Sequence, residues 1–360
     1  VLRQEDTVGR LGGDEFIVLL NGLSADQNAL AVAESLLKIF REPFKIDGRE
    51  LILTISIGVA IFPEDGTSAS DLLRNADTAM YQAKSLGRNT YSFFTQEMNI
   101  IMQRRLDIEE QMHGALVRNE FEIYYQPQFD VKNRKVIGAE ALLRWHNAAL
   151  GNVTPDEFIP IAEHTGLIVP IGKFVIEQAL SLLKEWQTIG QQPYIISVNL
   201  SPRQFRDAEL LSFIKDTLND TGVYPENFHL EITEGLLMSG QSYVHEALAE
   251  INELGIKLAM DDFGTGYSSL SYLRQYPFDI LKIDRSFIHG ITSNKADCNL
   301  VKATIAMSHS LGLSVVAEGV ETKEQLALLA ELDCNFVQGY YLSKPIPAKQ
   351  LLDLSAHFYK

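Results

Sequence analysis

Residues 257–266 read Lys-Leu-Ala-Met-Asp-Asp-Phe-Gly-Thr-Gly. An apolar run ends in two adjacent carboxylates, Asp261 and Asp262, and a turn-forming Gly-Thr-Gly follows at 264–266. This order is typical of a buried strand that reaches the surface at a site. Two neighbouring carboxylates are costly to bury unpaired, and a divalent cation would resolve the conflict because hard cations take oxygen ligands. An acidic helix N-cap followed by an exposed turn is the alternative, and this stretch alone leaves both open.

The composition predicts a two-domain globular chain. Its 360 residues are 46% hydrophobic and 22% charged, and no stretch is long and apolar enough to span a bilayer. With two cysteines, Cys298 and Cys334, and no signal peptide, we expect a reducing, cytoplasmic location. A membrane anchor in preceding segments of a longer parent protein is left open. The net charge of −16 excludes a general nucleic-acid coat protein, so we expect no nucleic-acid polymer as partner, although one small phosphate ligand remains compatible.

The first 95 residues alternate strand and helix signals. Two glycines at 12–13 permit a tight hairpin and a close backbone approach to a ligand, and Asp14, Glu15 and Phe16 follow them. A further strand is predicted over 51–62. Taken alone, the Gly-Gly-Asp-Glu-Phe pattern also fits an ordinary acidic hairpin.

Together with the Ser-Ile-Gly-Val-Ala strand and Asp-Thr-Ala-Met-Tyr-Gln-Ala-Lys-Ser-Leu-Gly-Arg-Asn at 77–89, this portion resembles the GGDEF diguanylate cyclase domain. The resemblance makes Glu15 a metal ligand and Arg3 with Asp6 an allosteric product-binding pair. It assigns the substrate-loop motif to Gly12, Gly13, Asp14, Glu15 and Phe16. An earlier strand with a metal-binding Asp is not matched, so we expect a truncated α+β cyclase-like domain over 1–95 that does not cyclise GTP. Whether it binds GTP or cyclic di-GMP is left open.

Residues 96–118 are polar with apolar periodicity and predict a linker helix, with a plain surface helix as the alternative. From residue 121 on, strand and helix signals alternate eight times, which favours a parallel sheet or a (β/α)8 barrel. The first two strands are joined by a short loop and should pair antiparallel, so we predict a barrel with one reversed strand. The predicted strands are 121–129, 136–145, 194–200, 227–233, 257–262, 279–284, 314–320 and 336–342.

Polar side chains stand near the ends of seven of these strands, where a barrel of this type carries its active site. They are Glu140, Arg144, Asn199, Glu231, Glu234, Asp261, Asp262, Lys282, Asp284, Glu318 and Gln338. A lone acid at a strand end is usually just solvated, but a series of them predicts one shared site. Carboxylate and amide oxygens suit Mg²⁺ or Mn²⁺ better than zinc.

The same region resembles the EAL family of cyclic di-GMP phosphodiesterases over about residues 100–355. The motifs that carry this resemblance are Tyr125-Gln126-Pro127, Glu140-Ala141-Leu142, Asn199-Leu200-Ser201, Glu231-Ile232-Thr233-Glu234, Asp261-Asp262-Phe263-Gly264-Thr265-Gly266, Lys282-Ile283-Asp284, Ala317-Glu318-Gly319-Val320-Glu321 and Gln338-Gly339-Tyr340. The resemblance implies an EAL-type (β/α)8 barrel domain over 119–360 that hydrolyses cyclic di-GMP to linear pGpG. It also implies two Mg²⁺ or Mn²⁺ ions in the site and a homodimer formed through this domain.

The resemblance further implies a role for each site residue. Lys282 would orient the attacking water and offset phosphate charge, Glu318 would hold water or a metal, and Glu234 would order the loop that carries Asp262 and 264–266. The metal ligands would be Glu140, Asn199, Glu231, Asp261, Asp262 and Asp284, with Asp261 shared between both ions. The nucleotide contacts would be Gln126, Arg144 and Gln338, and the catalytic groups Lys282, Glu318, Glu140 and Asp262.

Alternatives remain at this stage. The barrel could be a non-catalytic cyclic di-GMP receptor, or an unrelated barrel metalloenzyme such as an aldolase. Lys282 could pair with Asp284 alone, and Gln126 could be a sheet-edge amide. Because like charges 4 Å apart cost roughly 4 kcal/mol at an effective dielectric near 20, we expect binding of the dianionic substrate to depend on divalent metal.

Overall fold

The computed structural model describes residues 2–22, 26–46, 48–188, 195–237, 242–264 and 270–357. The chain divides into two compact units, Val1–Asp107 and Ile108–Lys360, which are described separately below. The domain limits predicted from the sequence, 1–95 and 119–360, stay predictions.

The described part of the first unit contains three separate two-stranded sheets, and α2 packs against the one formed by β5 and β6. In the described part, β1 pairs antiparallel with β2, β3 antiparallel with β4, and β5 parallel with β6. The elements are β1 (Thr7–Gly12), β2 (Glu15–Leu19), α1 (Asp26–Arg41), β3 (Phe44–Ile46), β4 (Arg49–Leu51), β5 (Ile57–Val59), α2 (Ala69–Ser85), β6 (Tyr91–Phe93) and α3 (Gln96–Met112).

Two predictions for this part of the chain need correction. The single strand predicted over 51–62 is wrong, because the structure has β4 ending at Leu51 and β5 confined to Ile57–Val59. At β5 the sheet and α2 approach so closely that a Cβ on Gly58 would lie 1.9 Å from the Ala76 carbonyl oxygen. The helix predicted over 96–118 ends at Met112, and Gly114 takes a φ of +78° two residues later.

The second unit alternates strands with helices along the chain. Two single-turn 3₁₀ helices, Gln204–Arg206 and Pro225–Asn227, join these elements. The strands are β7 (Phe121–Asp130), β8 (Val136–Asn147), β9 (Gly151–Val153), β10 (Ile195–Leu200), β11 (Phe228–Thr233), β12 (Lys257–Phe263), β13 (Ile280–Ile283), β14 (Ser314–Ala317), β15 (Phe336–Val337) and β16 (Ile346–Pro347). The helices are α4 (Pro155–Thr165), α5 (Ile168–Thr188), α6 (Leu210–Thr221), α7 (Glu234–Leu237), α8 (Ser242–Glu253), α9 (Leu270–Gln275), α10 (Arg285–His289), α11 (Lys295–Ser310), α12 (Lys323–Glu331) and α13 (Ala348–His357).

Eight of these strands close into a barrel. Strands β8, β10, β11, β12, β13, β14 and β15 pair in parallel, and β7 closes the ring by pairing antiparallel with both β15 and β8. The short strands β9 and β16 pair antiparallel with β8 and β7 outside the ring. The predicted (β/α)8 barrel with one reversed strand is therefore confirmed.

Strand alternation separates the apolar core from the barrel interior. On β11, Leu230 and Ile232 are fully buried among the apolar residues of the core, and Glu231 lies between them on the opposite face of the strand. Val198 on β10 and Leu281 on β13 follow the same rule. Because the apolar side chains face outward to the helices, the polar partners at alternate positions are directed into the barrel.

Strands β14 and β15 are shorter than predicted, so Glu318 and Gln338 follow their strands directly rather than lying within them. The first residue of the strand predicted over 194–200 lies outside the described residues. Within the described ranges, no single helix has the length and apolarity to cross a membrane; α4 and α5 meet that test only as a pair bent by 120°.

Glu120 forms a polar cluster where the barrel begins. Its Oε1 accepts from Arg118 Nε at 2.6 Å, and its Oε2 accepts from Trp145 Nε1 at 2.9 Å and Asn147 Nδ2 at 3.0 Å. The hydrogen bond from Arg118, against a smaller opposing effect of burial, lowers the pKa of Glu120 to about 2. The cluster ties the segment before β7 to the end of β8.

We expect Glu120→Gln to lower the free energy of unfolding by about 1 kcal/mol near pH 7, because a charge-assisted hydrogen bond to a half-exposed Arg is lost. The pKa of Glu120 is lower in the folded state than its ordinary 4.5, so its stabilising effect is present above that value and lost as the pH falls towards 2. Urea unfolding of both proteins near pH 7 and near pH 3 checks this. The control is Glu185→Gln, an exposed carboxylate on α5, and an equal stability difference at both pH values for Glu120→Gln would contradict the prediction.

Candidate active site

Four carboxylates converge on the ammonium group of Lys282. The distances from Lys282 Nζ are 2.5 Å to Glu231 Oε2, 2.6 Å to Glu318 Oε1, 3.2 Å to Asp261 Oδ1 and 3.4 Å to Glu140 Oε2. The lysine side chain is only 1% exposed. The alternative in which Lys282 pairs with Asp284 alone is therefore wrong.

The fold brings these groups together because each belongs to a different parallel strand of the same ring. Lys282, Glu140, Glu231 and Asp261 lie on β13, β8, β11 and β12, and Glu318 directly follows β14. Parallel strands end at one edge of a barrel, and alternation directs these side chains to one side. Glu140 and Glu318 are 178 positions apart in the sequence, yet both contact the ammonium group of Lys282.

The carboxylates carry more negative charge than one ammonium can offset. Burial, reinforced by repulsion from Glu140, raises the pKa of Glu231 well above its ordinary value. Burial likewise raises the pKa of Glu318 to about 8. Burial alone would lower the pKa of Lys282, but Asp261 and the other carboxylates raise it well above its ordinary value. The cluster therefore needs further positive charge or protons.

Glu140 is the exception, since hydrogen-bond donors surround it. Burial would raise its pKa, but Lys282, Gln338 and Asn199 together hold it below the ordinary value. Asn199 Nδ2 donates to Glu140 Oε1 at 2.6 Å, and Gln338 Nε2 donates to Glu140 Oε2 at 2.7 Å. These donors favour the charged form of Glu140, in contrast to the raised pKa values of Glu231 and Glu318.

A chain of amides extends from Glu140 across the barrel interior. Gln338 Nε2 also donates to Gln126 Oε1 at 3.2 Å, and Gln338 Oε1 accepts from Gln128 Nε2 at 3.0 Å. Gln126 lies within the barrel wall on β7, which pairs on both sides, so the alternative of a sheet-edge amide is wrong. Sequence reasoning missed Gln128, although two glutamines two positions apart in an apolar strand share one face and could have indicated it.

Asp261 and Asp262 reach the same site because β12 is irregular there. Successive residues of a regular strand face opposite sides. The pairing of β12 with β13 shifts register between Met260 and Phe263, and Asp262 takes a φ of +55°. Partial burial raises the pKa of Asp262, and repulsion from Asp261 and Asp284 adds to it. The two carboxylates therefore lie close together despite their adjacent positions.

The backbone at Asp262 yields a stability prediction. Only Gly, Asn and Asp adopt the left-handed region readily, so we expect Asp262→Val to lower the free energy of unfolding by about 1–2 kcal/mol. Asp262→Asn should stay within about 0.5 kcal/mol of the wild type, because it keeps the backbone preference and removes repulsion. Chemical denaturation of both variants checks this. Equal free energies of unfolding for Asp262→Val and Asp262→Asn would contradict the prediction.

Asp284 and Glu234 take up positions at helix starts. Asp284 Oδ1 accepts from the backbone N of Ser286 at 3.0 Å and so caps α10. Glu234 begins α7 and is 3% exposed, and among the described residues neither of its carboxylate oxygens has a hydrogen-bond partner. Most of the loop that Glu234 is predicted to order, including Thr265 and Gly266, lies outside the described residues.

Arg144 lies near the same mouth, half-buried on β8. Its guanidinium lies 5.6 Å from the centre of the Tyr124 ring, and its Nη1 donates to the Leu143 carbonyl at 2.8 Å. Burial lowers the pKa of Arg144, while Tyr340 and Glu140 act in the opposite direction. A cation in this position can contact an anionic ligand.

The predicted residues of the first unit form an exposed hairpin. Gly13, with a φ of +56°, turns the chain between β1 and β2, and Arg10 Nη2 donates to the Gly13 carbonyl at 2.6 Å. The motif residues Gly12, Asp14, Glu15 and Phe16 are exposed in this hairpin. Arg3 and Asp6 contact each other through the Arg3 backbone N and Asp6 Oδ2 at 2.7 Å.

The carboxylate cluster fits a divalent cation by its chemistry. No group of three or more His, Cys, Asp or Glu in the described residues is arranged to hold a metal, because the carboxylates are turned towards Lys282. The donor atoms are oxygens of Glu140, Glu231, Asp261 and Asn199, which hard cations prefer. Raised pKa values at Glu231 and at Glu318 indicate a shortage of positive charge.

Two family models match the chain. The model described as EAL domain matches residues 109–345, and the model described as Diguanylate cyclase, GGDEF domain, matches residues 1–90. MucR of Pseudomonas aeruginosa, named a bifunctional diguanylate cyclase/cyclic di-GMP phosphodiesterase, is 41% identical over 98% of this chain and 51% of its own length. NbdA of the same organism, named a cyclic di-GMP phosphodiesterase, is 39% identical over 98% of this chain and 45% of its own length.

A solved structure titled PaMucR phosphodiesterase, c-di-GMP complex, superimposes with a TM-score of 0.66 at 40% identity. It covers 68% of this chain and 99% of that one. The chain spans about half the length of the curated relatives it matches.

Proposed function

The chain belongs to the EAL domain family, with a GGDEF domain match ahead of the barrel, and from this we propose that the barrel hydrolyses cyclic di-GMP to linear pGpG. The single observation that carries the proposal is the cluster of four carboxylates around Lys282 Nζ. A buried excess of oxygen donors at the mouth of a barrel is the arrangement that metal-assisted phosphodiester hydrolysis requires.

EAL phosphodiesterases generally depend on divalent metal. We propose that Glu140, Asn199, Glu231 and Asp261 hold one Mg²⁺ or Mn²⁺, and that Asp261, Asp262 and Asp284 hold a second. Bound there, such ions would supply Lewis-acid stabilisation of the charge on the reacting phosphate. The oxygen-only donor set supports Mg²⁺ or Mn²⁺ over softer metals.

The chain's own residues would then bind and orient the reactants. Arg144 lies near the site with its guanidinium available for the phosphodiester, and a charge-assisted hydrogen bond there would offset ligand charge. Gln126 and Gln338 would present amides to the nucleotide. We propose that Lys282 orients the attacking water, because its Nζ carries three donor protons at the centre of the cluster, and that Glu318 holds the same water.

The proposal is tested by incubating the purified chain with cyclic di-GMP and Mg²⁺ or Mn²⁺ and following pGpG by chromatography. Wild-type protein should turn over, and Glu140→Ala should lose about 100-fold in kcat while its circular dichroism and melting curve stay those of a folded barrel. Binding of cyclic di-GMP without any turnover by the wild type would favour the receptor alternative and overturn the enzymatic proposal.

We also propose that the second unit forms a homodimer, and that Arg3, Asp6 and the 12–16 hairpin form a site for cyclic di-GMP or GTP. The resemblance of these motifs to the GGDEF and EAL families supports both. Light scattering at several protein concentrations tests the first proposal, and nucleotide titration of an Arg3→Ala variant tests the second. The cytoplasmic location stays a prediction.

A further inference from the structure

Gln128 lies in the barrel interior below the carboxylate cluster and is not among the residues that resemblance assigned to the site. It is 5% exposed and stands on β7 two positions after Gln126, on the same face of the strand. Its Nε2 donates to Gln338 Oε1 at 3.0 Å. Burying an amide costs folding free energy unless the amide is hydrogen-bonded. The hydrogen bond to Gln338 therefore stabilises Gln128 in the barrel interior.

The orientation of the Gln338 amide follows from its partners. Gln338 Nε2 donates both to Glu140 Oε2 at 2.7 Å and to Gln126 Oε1 at 3.2 Å, so two acceptor oxygens face the NH₂ side of this amide. That orientation leaves Gln338 Oε1 facing the opposite way, where it requires a donor. Among the described residues, Gln128 is the side chain that donates to it.

We propose that Gln128 is a positioning residue that locks the Gln338 amide with its Nε2 towards Glu140, and so holds the Glu140 carboxylate in its metal-binding orientation. This inference rests on the proposed function and extends it by one residue. Gln128 touches neither Glu140 nor Lys282 through any hydrogen bond in the described part, so it acts through Gln338.

The orientation of the Gln338 amide affects the Glu140 carboxylate through the hydrogen bonds that Glu140 accepts. Its two oxygens are held by Asn199 Nδ2 at 2.6 Å, Gln338 Nε2 at 2.7 Å and Lys282 Nζ at 3.4 Å. If the Gln338 amide turned over, its Oε1 would face Glu140 Oε2, and two acceptors would repel each other. The carboxylate would then rotate away from the direction that its other donors define.

The neighbouring strand leaves room for this amide and offers no substitute for it. Gly138 on β8 is the residue directly opposite Gln128. A Cβ at position 138 would lie 2.3 Å from the backbone oxygen of Ile195 on β10, so no larger residue fits there. Position 138 therefore supplies no side-chain donor that could replace Gln128.

The test compares Gln128→Met, Gln338→Met and the double variant. We expect Gln128→Met to weaken Mn²⁺ binding by about 3–10-fold, measured by electron paramagnetic resonance without substrate, since partners behind metal ligands tune affinity by such factors. It should lower kcat by about 10-fold and raise KM by no more than about threefold, because Gln338 loses its fixed orientation while Gln126 and Arg144 keep their contacts. In the double variant, the Gln128 substitution should add nothing to the effect of Gln338→Met, because both act through one amide.

Ser197→Ala is the matched control. Ser197 is also buried in the second unit, on β10, and its hydroxyl has no hydrogen-bond partner within the part of the chain that the structure describes. Its removal should leave Mn²⁺ affinity and kcat unchanged, and thermal unfolding of every variant separates stability from positioning. Gln128→Leu repeats the test with another shape if the Met variant does not fold.

An unchanged Mn²⁺ affinity in the Gln128 variants, or additive effects in the double variant, would overturn this inference while the wild type still hydrolyses cyclic di-GMP. Mn²⁺ binding that depends on Gln128 as expected, in a wild-type protein that shows no hydrolysis, would instead support the inference and overturn only the proposed function.

Discussion

Chelation of divalent cations should abolish turnover of cyclic di-GMP and return it when Mg²⁺ or Mn²⁺ is added back. We expect a loss of at least a thousandfold, which corresponds to about 4 kcal/mol of transition-state stabilisation. The reason is the surplus of carboxylates around Lys282, where Glu140, Glu231, Asp261 and Glu318 share one ammonium. A dianionic substrate approaching this surplus is repelled unless cations offset it.

The experiment follows pGpG formation after dialysis against EDTA, and then after titration with Mg²⁺, Mn²⁺ or, as a control, sodium chloride at matched ionic strength. Sodium should not restore activity, because general screening acts weakly on buried charges. The affinity of the apo protein for cyclic di-GMP should fall as well, since binding and hydrolysis meet the same repulsion. Full turnover in EDTA would exclude metal-assisted hydrolysis in this site.

The second large effect is expected from Lys282→Met. We expect kcat to fall by about a thousandfold, because the group proposed to orient the attacking water and to offset charge is removed. The free energy of unfolding of the metal-free protein should fall by about 3 kcal/mol, since a buried ammonium 1% exposed is lost and its carboxylate partners remain. Proton uptake by Glu231 and by Glu318, whose pKa values are already raised, limits that cost.

A matched control exists on the neighbouring strand. Lys257 also lies on the barrel wall and pairs with Asp279 Oδ1 at 2.7 Å, but at the opposite end of β12 from Asp261. Lys257→Met should keep kcat within about twofold. Addition of Mg²⁺ should raise the melting temperature of Lys282→Met more than that of the wild type, because bound cations replace the missing charge. A kcat equal to that of the wild type in Lys282→Met would contradict the proposal that Lys282 orients the attacking water.

Local patterns sufficed for the architecture of the barrel. Apolar runs alternating with helical periodicity predicted all eight strands, and the short connection at 132–134 predicted that β7 is reversed. These predictions succeed because hydrophobic periodicity and turn length act between residues close in sequence. The strand predicted over 51–62 failed, since β4 ends at Leu51 and β5 covers only Ile57–Val59, and an apolar run does not show where strand pairing stops.

The candidate site was predictable as a set of strand-end residues, but its internal contacts were not. Lys282 contacts four carboxylates rather than Asp284, and Asp284 accepts hydrogen bonds from Ser286 at the start of α10. The positive φ of Asp262, which brings adjacent carboxylates together, depends on a bulge between β12 and β13. Gln128 was missed because its role depends on its hydrogen bond to Gln338, a residue that is far away in sequence.

By itself, then, the amino-acid order determined which residues are inward-facing and polar, and that they end their strands at one rim. Only the tertiary structure decided which of them share a partner, which carboxylates are short of positive charge, and which amide orients another. The reason is physical: periodicity is a property of one strand, whereas charge balance and hydrogen-bond direction depend on distances between strands that lie far apart in the chain.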